Sequence, residues 1–352
     1  MKRFGIISGF LGAGKTTLML ALNEYYAHQG IKCTLVVNDL GDCDMVDAAY
    51  SEKRGASVQA MPGGCICSRT RELSDVLEST FASGTDLVLS DIPGCGVGAL
   101  DGVYRKLAGG KTELAPFTVV VSPRELSLLY DEHAAWRIHL PLDMGEILRA
   151  QIEEADTAVL NKTDTISPEE AEQAAGLIRR INPGITIFPV SAKYGTGISA
   201  LGEHLLTARA TLSQPEGLGD QEELAVPQNR LCWYDCRYYV KVCCNDFRPD
   251  DYLSDLMESI RFSFAAMNAN TPHLKIFAYS ENGDHAKFSL TGIDHPVEKD
   301  QLFEKRAEDL SVVINARLLC PPALAGQLMK ACIDGAGKKH NLDTMIFTTA
   351  CQ

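Results

Sequence analysis

The chain has 352 residues, 45% of them hydrophobic and 22% charged, and a net charge of −13. That length exceeds what one compact core usually holds, so two domains are expected, and the composition excludes a disordered chain. The acidic balance speaks against nucleic acid or an anionic membrane as partner, and no apolar run approaches the roughly 20 residues of a membrane span.

Over the first 210 residues short β-rich runs alternate with amphipathic stretches. Phe4–Ser8, Cys33–Asn38, Asp86–Asp91, Phe117–Val121, Thr157–Asn161 and Ile185–Val190 are near-continuous apolar runs, the pattern of parallel strands covered on both faces. Helical segments are expected at about Lys15–Gln29, Pro123–Tyr130, Gly145–Glu154, Pro168–Arg180 and Ile198–Ala210. This alternation predicts an α/β fold with a doubly wound, mainly parallel sheet.

The stretch after it is polar and carries Pro215, Gly217, Gly219 and Pro227, which reads as a linker. Beyond it we expect strands at Tyr238–Cys244, Leu274–Tyr279, His285–Leu290, Leu310–Leu318 and Asp343–Thr349. Helices are expected at Asp250–Met267 and Pro322–Asp334, and a turn at Glu281–Asp284. The order suits a smaller C-terminal α+β domain, with helices on one face of a mainly antiparallel sheet. The expected boundaries are 1–212 for the first domain, 213–230 for the linker and 231–352 for the second domain.

Gly9-Phe10-Leu11-Gly12-Ala13-Gly14-Lys15-Thr16 matches the P-loop pattern and lies between a strand and a helix, the context that confirms it. Backbone N–H groups of Gly12, Ala13, Gly14, Lys15, Thr16 and Thr17 would wrap the phosphates at the helix N-terminus. Lys15 would reach the β- and γ-phosphates and Thr16 would ligate Mg²⁺. Asn161-Lys162-Thr163-Asp164 lies at a later strand end, about 145 residues on. In such an N-K-x-D motif the Asp carboxylate accepts hydrogen bonds from the guanine N1–H and amine, groups that adenine lacks. Ser191-Ala192-Lys193, one strand further, would back the guanine carbonyl. The expected ligand is therefore GTP or GDP. Asp91-Ile92-Pro93-Gly94 supplies the third element: Asp91 toward Mg²⁺ and the Gly94 N–H toward the γ-phosphate. Asn38-Asp39-Leu40-Gly41-Asp42 follows the second strand, and Asp39 and Asp42 are candidates for Mg²⁺ or the attacking water, or form an acidic solvated loop. No glutamine or arginine stands out as the water-positioning or charge-stabilising residue. Slow hydrolysis, sped up by a partner or by dimerisation, is expected.

Twelve cysteines are many, five of them at or before Cys95 and seven at or after Cys232. The N-terminal MKRFGIISGF runs straight into the P-loop, so a signal peptide is not expected and a cytoplasmic setting with reduced thiols is. Cys65 and Cys67 stand at i and i+2 in Gly63-Gly64-Cys65-Ile66-Cys67-Ser68. In an extended segment they would face one side and could share one metal such as Zn²⁺, Co²⁺ or Ni²⁺. Cys232, Cys236 and Cys244 share parity and could face one side of a continuous strand, but with Cys243 they read as burial or chance, and Cys33, Cys320 and Cys332 read as core.

The segments SGFLGAGKTT, VVNDLGD, GGCIC and QIEEADTAVLNKTD together resemble the CobW-like metallochaperone GTPases, relatives of the hydrogenase and urease nickel-insertion GTPases. The resemblance covers the first domain. It implies GTP hydrolysis with Lys15, Asp91 and Asp39 at the reaction centre, and delivery of a metal, or help in loading a metal cofactor, into a client protein. Three positions depart from the family pattern: Ser68 replaces the last Cys of C-x-C-C, and Asp91 and Asp39 each replace a Glu. Cys43 and Cys95, on the loops expected to sense nucleotide, are candidate third ligands beside Cys65 and Cys67. The alternatives are a metal-free regulatory GTPase that guards a cofactor enzyme, such as a corrinoid enzyme, and a small-molecule kinase, which the guanine motifs oppose.

Overall fold

The computed structural model describes residues 2–351 except 39–45, 95, 132, 135–137, 142, 216–223, 225–229, 243–246 and 308. Asp39, Asp42, Cys43, Cys95, Cys243 and Cys244 lie outside the described residues. The chain forms two compact units, one running through residue 228 and one made chiefly of residues 229–352, with Ile138–Leu140 grouped in the second.

The first unit holds eight strands: β1 (Arg3–Gly9), β2 (Cys33–Asn38), β3 (Ser57–Met61), β4 (Leu87–Asp91), β5 (Glu113–Leu114), β6 (Thr118–Val121), β7 (Thr157–Leu160) and β8 (Thr186–Pro189). Their order is β3-β2-β4-β1-β6-β7-β8, with β5 also beside β1, and every pairing is parallel. The inner strands β1, β2, β4, β6 and β7 are buried along their whole length, as their near-continuous apolar runs require. The Ile185–Val190 run does not follow that rule. β8 is the outermost strand, and Thr186 and Pro189 are exposed.

The principal helices are α1 (Lys15–His28), α2 (Val46–Lys53), α3 (Thr70–Ala82), α4 (Met144–Glu154), α5 (Pro168–Ile181) and α6 (Ile198–Thr207). Leu18, Met19, Leu22 and Tyr26 of α1 share a core with Ile7, Leu87, Leu89, Leu201 and Leu205. Each such side chain contributes about 1.5–3 kcal/mol by leaving water. α5 starts sharply because Ser167 and Glu170 form a reciprocal capping box with Pro168 in the first turn. The helix expected at Pro123–Tyr130 is instead a turn of α-helix, Pro123–Leu126, and a turn of 3₁₀-helix, Ser127–Leu129. With all strands parallel, their carboxyl ends converge on one edge, where ligands of such sheets bind.

The second unit runs β9 (Cys232–Val242), α7 (Pro249–Ala266), β10 (Asn270–Tyr279), β11 (His285–Leu290), β12 (Glu298–Gln301), β13 (Asp309–Leu319), α8 (Pro322–Lys339) and β14 (Leu342–Cys351). The sheet order is β12-β11-β10-β13-β9-β14 and all pairings are antiparallel. Even-numbered residues of β9 and β13, among them Tyr234, Tyr238, Val312 and Ile314, share a core with Leu256, Ile260, Met329 and Ile333 of the two helices. Cys232, Cys236 and Cys332 belong to that core, while Cys320 is half-buried at its margin. The edge strand β14 leaves Met345 and Phe347 exposed.

Candidate nucleotide and metal site

β1 ends at Gly9 and α1 begins at Lys15, so the P-loop lies where strand hands over to helix. Gly14, the residue before α1, has φ 96 and caps the helix with no side chain. The N-terminus of α1 turns its positive end toward the loop, which favours anionic oxygens there. A Cβ on Gly14 would come within 2.5 Å of Asn161 Nδ2, so only glycine fits. Lys15 Nζ donates to Gly9 O at 2.7 Å and Phe10 O at 3.3 Å, which folds the ammonium over the loop. Thr16 is half-buried and Thr17 exposed.

The guanine-side motifs converge through one buried amide. Asn161 Nδ2 donates to Ala13 O at 2.9 Å, and its Oδ1 accepts the Ala192 N–H at 3.0 Å. That side chain ties the P-loop to both loops expected to hold the base. Lys162 takes a left-handed conformation, φ 61, which turns the chain into the 3₁₀ turn Thr163–Thr165. Ser191 Oγ donates to Asp164 Oδ1 at 2.5 Å, fixing the exposed carboxylate. Lys193 is exposed beside Tyr194, its Nζ 5.6 Å from the ring centroid.

Asp91 ends β4 opposite Ile7 of β1, just short of the P-loop. It is buried, and its Oδ1 accepts the Asn38 N–H at 2.6 Å. Gly94 lies against the P-loop: a Cβ there would be 2.9 Å from the Leu11 nitrogen. Asp91 and Gly94 are thus held beside the strand and loop that carry Lys15 and Thr16. Hard oxygens from Thr16 and Asp91 suit Mg²⁺, and the glycine cradle before an open helix N-terminus suits phosphates.

A model of the CobW/HypB/UreG nucleotide-binding domain matches residues 4–189. The chain belongs to this family. The zinc chaperone YeiR of Escherichia coli K12 is 33% identical over 180 residues, 49% of this chain and 50% of that protein. The zinc-regulated GTPase metalloprotein activator 1 of Dictyostelium discoideum is 26% identical over 208 residues, 51% and 43% of the two chains. The chain therefore spans about half the length of the curated relatives it matches. The solved HypB of Archaeoglobus fulgidus shares 18% identity over 58% of this chain and 89% of its own, with a TM-score of 0.41.

The cysteine pair of this CobW/HypB/UreG chain does not sit in an extended segment. Cys65 caps a 3₁₀ turn, Ile66–Ser68, and the turn rather than a strand pleat brings the two sulfurs to 2.8 Å. Cys65 is half-buried and Cys67 buried. Each thiol acts on the acidity of the other. The hydrogen bond with Cys67 lowers the Cys65 thiol below its usual range against the opposing effect of burial, and the Cys67 N–H, 3.4 Å from Cys65 Sγ, adds to that. The same hydrogen bond, together with burial, pushes Cys67 well above its usual value. Of the two, Cys65 is therefore the thiol that gives up its proton more readily. Ser68, at the family's third cysteine position, donates its hydroxyl to Cys65 O at 2.9 Å and so closes the turn. Among the described residues no group of three or more His, Cys, Asp or Glu is placed to hold a metal ion.

Sequence reasoning missed the residues that hold these parts. Asn38, at the end of β2, is 4% exposed and reaches both Asp91 and the cysteine turn. Gln151 and Glu154 stand three apart on α4, on one helix face. Gln151 Nε2 donates to Gly94 O at 3.2 Å and Gly96 O at 2.9 Å. Glu154 accepts backbone N–H groups of Gly98, Ala99 and Leu100. Those residues lead into a helical turn, Leu100–Tyr104, in which a Cβ on Gly102 would be 2.8 Å from Cys67 O. The signal was present in the family segment QIEEAD, but the pattern did not say what the carboxylate would touch.

Proposed function

We propose that the protein is a GTP-binding and GTP-hydrolysing metallochaperone that carries a transition metal on Cys65 and Cys67 and passes it to a client metalloprotein under nucleotide control. The observation that carries the reading is the dithiol itself. Two sulfurs 2.8 Å apart, with Cys65 biased toward thiolate, form a ready soft-metal donor pair. The names of the matched relatives, a zinc chaperone and a zinc-regulated GTPase activator, support zinc as the first cargo to test.

In this reading backbone N–H groups of residues 12–17 and the Lys15 ammonium bind the phosphates, and Thr16 and Asp91 hold Mg²⁺, which supplies charge neutralisation on the β- and γ-phosphates. Asp164 reads guanine, steadied by Ser191. Asn161 keeps the phosphate and base loops in register. Hydrolysis yields GDP and phosphate. Gln151 is engaged with two backbone carbonyls, which supports slow turnover without a partner in this reading. Asp39, Cys43 and Cys95 complete the catalytic and metal sets in this proposal. Residues 1–212 would be the GTPase domain, 213–230 the linker, and 231–352 the domain that recognises the client or a second copy. The free thiols among the described residues accord with a cytoplasmic setting. No described helix is long and apolar enough to cross a membrane.

The test is a metal titration of the reduced protein, first with GDP and then with a non-hydrolysable GTP analogue. Tight binding that shifts with nucleotide and is lost in Cys65→Ser/Cys67→Ser supports metal delivery. Ser68, with its hydroxyl committed to the turn, favours a second reading: a metal-free regulatory GTPase. Absence of binding in both nucleotide states would select it.

A further inference from the structure

Asn38 spends every part of its amide on the cysteine turn. Nδ2 donates to Met61 O at 2.8 Å and to Gly64 O at 2.7 Å, and Oδ1 accepts the Ile66 N–H at 3.0 Å. Cys65 lies between two of those partners. Gly63 and Gly64, at φ 80 and 143, give the turn the backbone path that presents these groups to Asn38. At the same residue the backbone N–H is bonded to Asp91 Oδ1. One buried residue thus has its main chain on the expected Mg²⁺ carboxylate and its side chain on the thiol turn.

We propose that Asn38 is the positioning residue that couples the two halves of the site, so that a change at Asp91 on exchanging GDP for GTP alters the geometry of Cys65 and Cys67 and hence their metal affinity. The inference rests on the reading that Cys65 and Cys67 carry metal and that Asp91 serves the nucleotide. The coupling has a physical basis. A short hydrogen bond at 2.6 Å lets little displacement of Asp91 go unfelt by Asn38, and three bonds to one planar amide pass its movement to the turn as a unit. Coupling of this kind is reciprocal: whatever factor nucleotide imposes on metal affinity, metal imposes on nucleotide affinity.

The experiment measures Zn²⁺ affinity by competition with a chromophoric chelator, under a non-thiol reductant, in GDP and in a non-hydrolysable GTP analogue. The quantity read is the ratio of the two affinities. Couplings between sites are typically 5–150-fold. Asn38→Ala keeps the backbone bond to Asp91 and removes the three side-chain bonds. It is expected to bring the ratio to within about twofold of one, whatever it does to each affinity. A merely structural role would weaken both affinities in parallel and leave the ratio, which would overturn the proposal. Asn38→Asp can still accept the Ile66 N–H but cannot donate to Met61 or Gly64, and is expected to fall between. Should both variants fail to fold, the wild-type protein decides. Hydrogen exchange of the Ile66 amide, which is bonded to Asn38, is expected to differ between the two nucleotide states; identical protection would overturn the coupling. Wild-type protein that binds no Zn²⁺ at Cys65 and Cys67 would instead refute the metallochaperone reading, and the coupling with it.

Discussion

Replacing Glu154 by Gln should stabilise the protein at alkaline pH and not at acid pH. The side chain is 1% exposed, and burial pushes its carboxyl up to about 7 from the usual 4.5, against the opposing pull of the Gly98, Leu100 and Ala99 N–H groups. Its Oε2 has no hydrogen-bond partner among the described residues. The folded chain therefore holds this proton more tightly than the unfolded chain does. Below pH 4.5 both states are protonated and there is no penalty; between 4.5 and 7 the folded state alone is protonated, and stability falls as pH rises. At about 1.36 kcal/mol per pH unit the penalty at pH 8 is about 3 kcal/mol, of which solvent relaxation will remove a part. Glu154→Gln keeps one carbonyl oxygen for the backbone N–H groups and carries no charge. Urea unfolding of both proteins at pH 5, 6, 7 and 8 tests this. The stability difference, variant minus wild type, should rise by roughly 2–3 kcal/mol across that range. A difference that does not change with pH would mean that Glu154 is ionised in the folded protein without cost, and the reasoning fails.

Three further outcomes are expected. Asp164→Asn loses the carboxylate proposed to read guanine and should weaken GTP binding roughly 100-fold, since hydrogen bonds to charged groups are worth about 1.5–3 kcal/mol each. It should favour xanthosine triphosphate, whose C2 carbonyl accepts from the new amide; competition with a fluorescent nucleotide measures both, and unchanged guanine preference would refute the assignment. Gly14→Ala places a Cβ against Asn161 Nδ2 at a backbone angle that alanine avoids, so nucleotide should no longer raise its melting temperature. Cys67→Ala removes the hydrogen bond that lowers Cys65, and should slow alkylation of Cys65 at pH 7.5; equal or faster alkylation would show that Cys67 does not lower Cys65.

The buried strands were legible because being covered on both faces leaves a plain mark: β1, β2, β4, β6 and β7 are near-continuous apolar runs. β3 was not read because only Met61 of its five residues is buried, as befits a strand at the sheet edge. α3 could have been read: Leu73, Leu77 and Phe81 recur every four residues and are buried. The glycine-rich loop between β1 and α1 was legible because its glycines have few other uses where a strand hands over to a helix. Asn38, Gln151 and Glu154 were not, because a polar residue in sequence looks the same whether it faces water or closes a hydrogen-bond network. The C-x-C spacing announced the thiols, but i and i+2 fit both a strand and a 3₁₀ turn, and only the fold chose the turn.

The second sheet places its earliest strand between two of its latest. β9, the first strand of that unit, pairs with β13 on one side and with β14 on the other. During synthesis β9 emerges long before either partner, and both of its long edges stay open until residues 309–351 have followed. Pairings this distant along the chain close slowly, and an unpaired strand is a template for wrong partners. The parallel-stranded unit ahead of it, whose β1 likewise waits for β4 and β6, has emerged before β9 does. The maturing chain thus passes through a stage in which one half is folded and the other exposes a strand rich in tyrosine and cysteine, the window in which a cellular holdase would find most to bind.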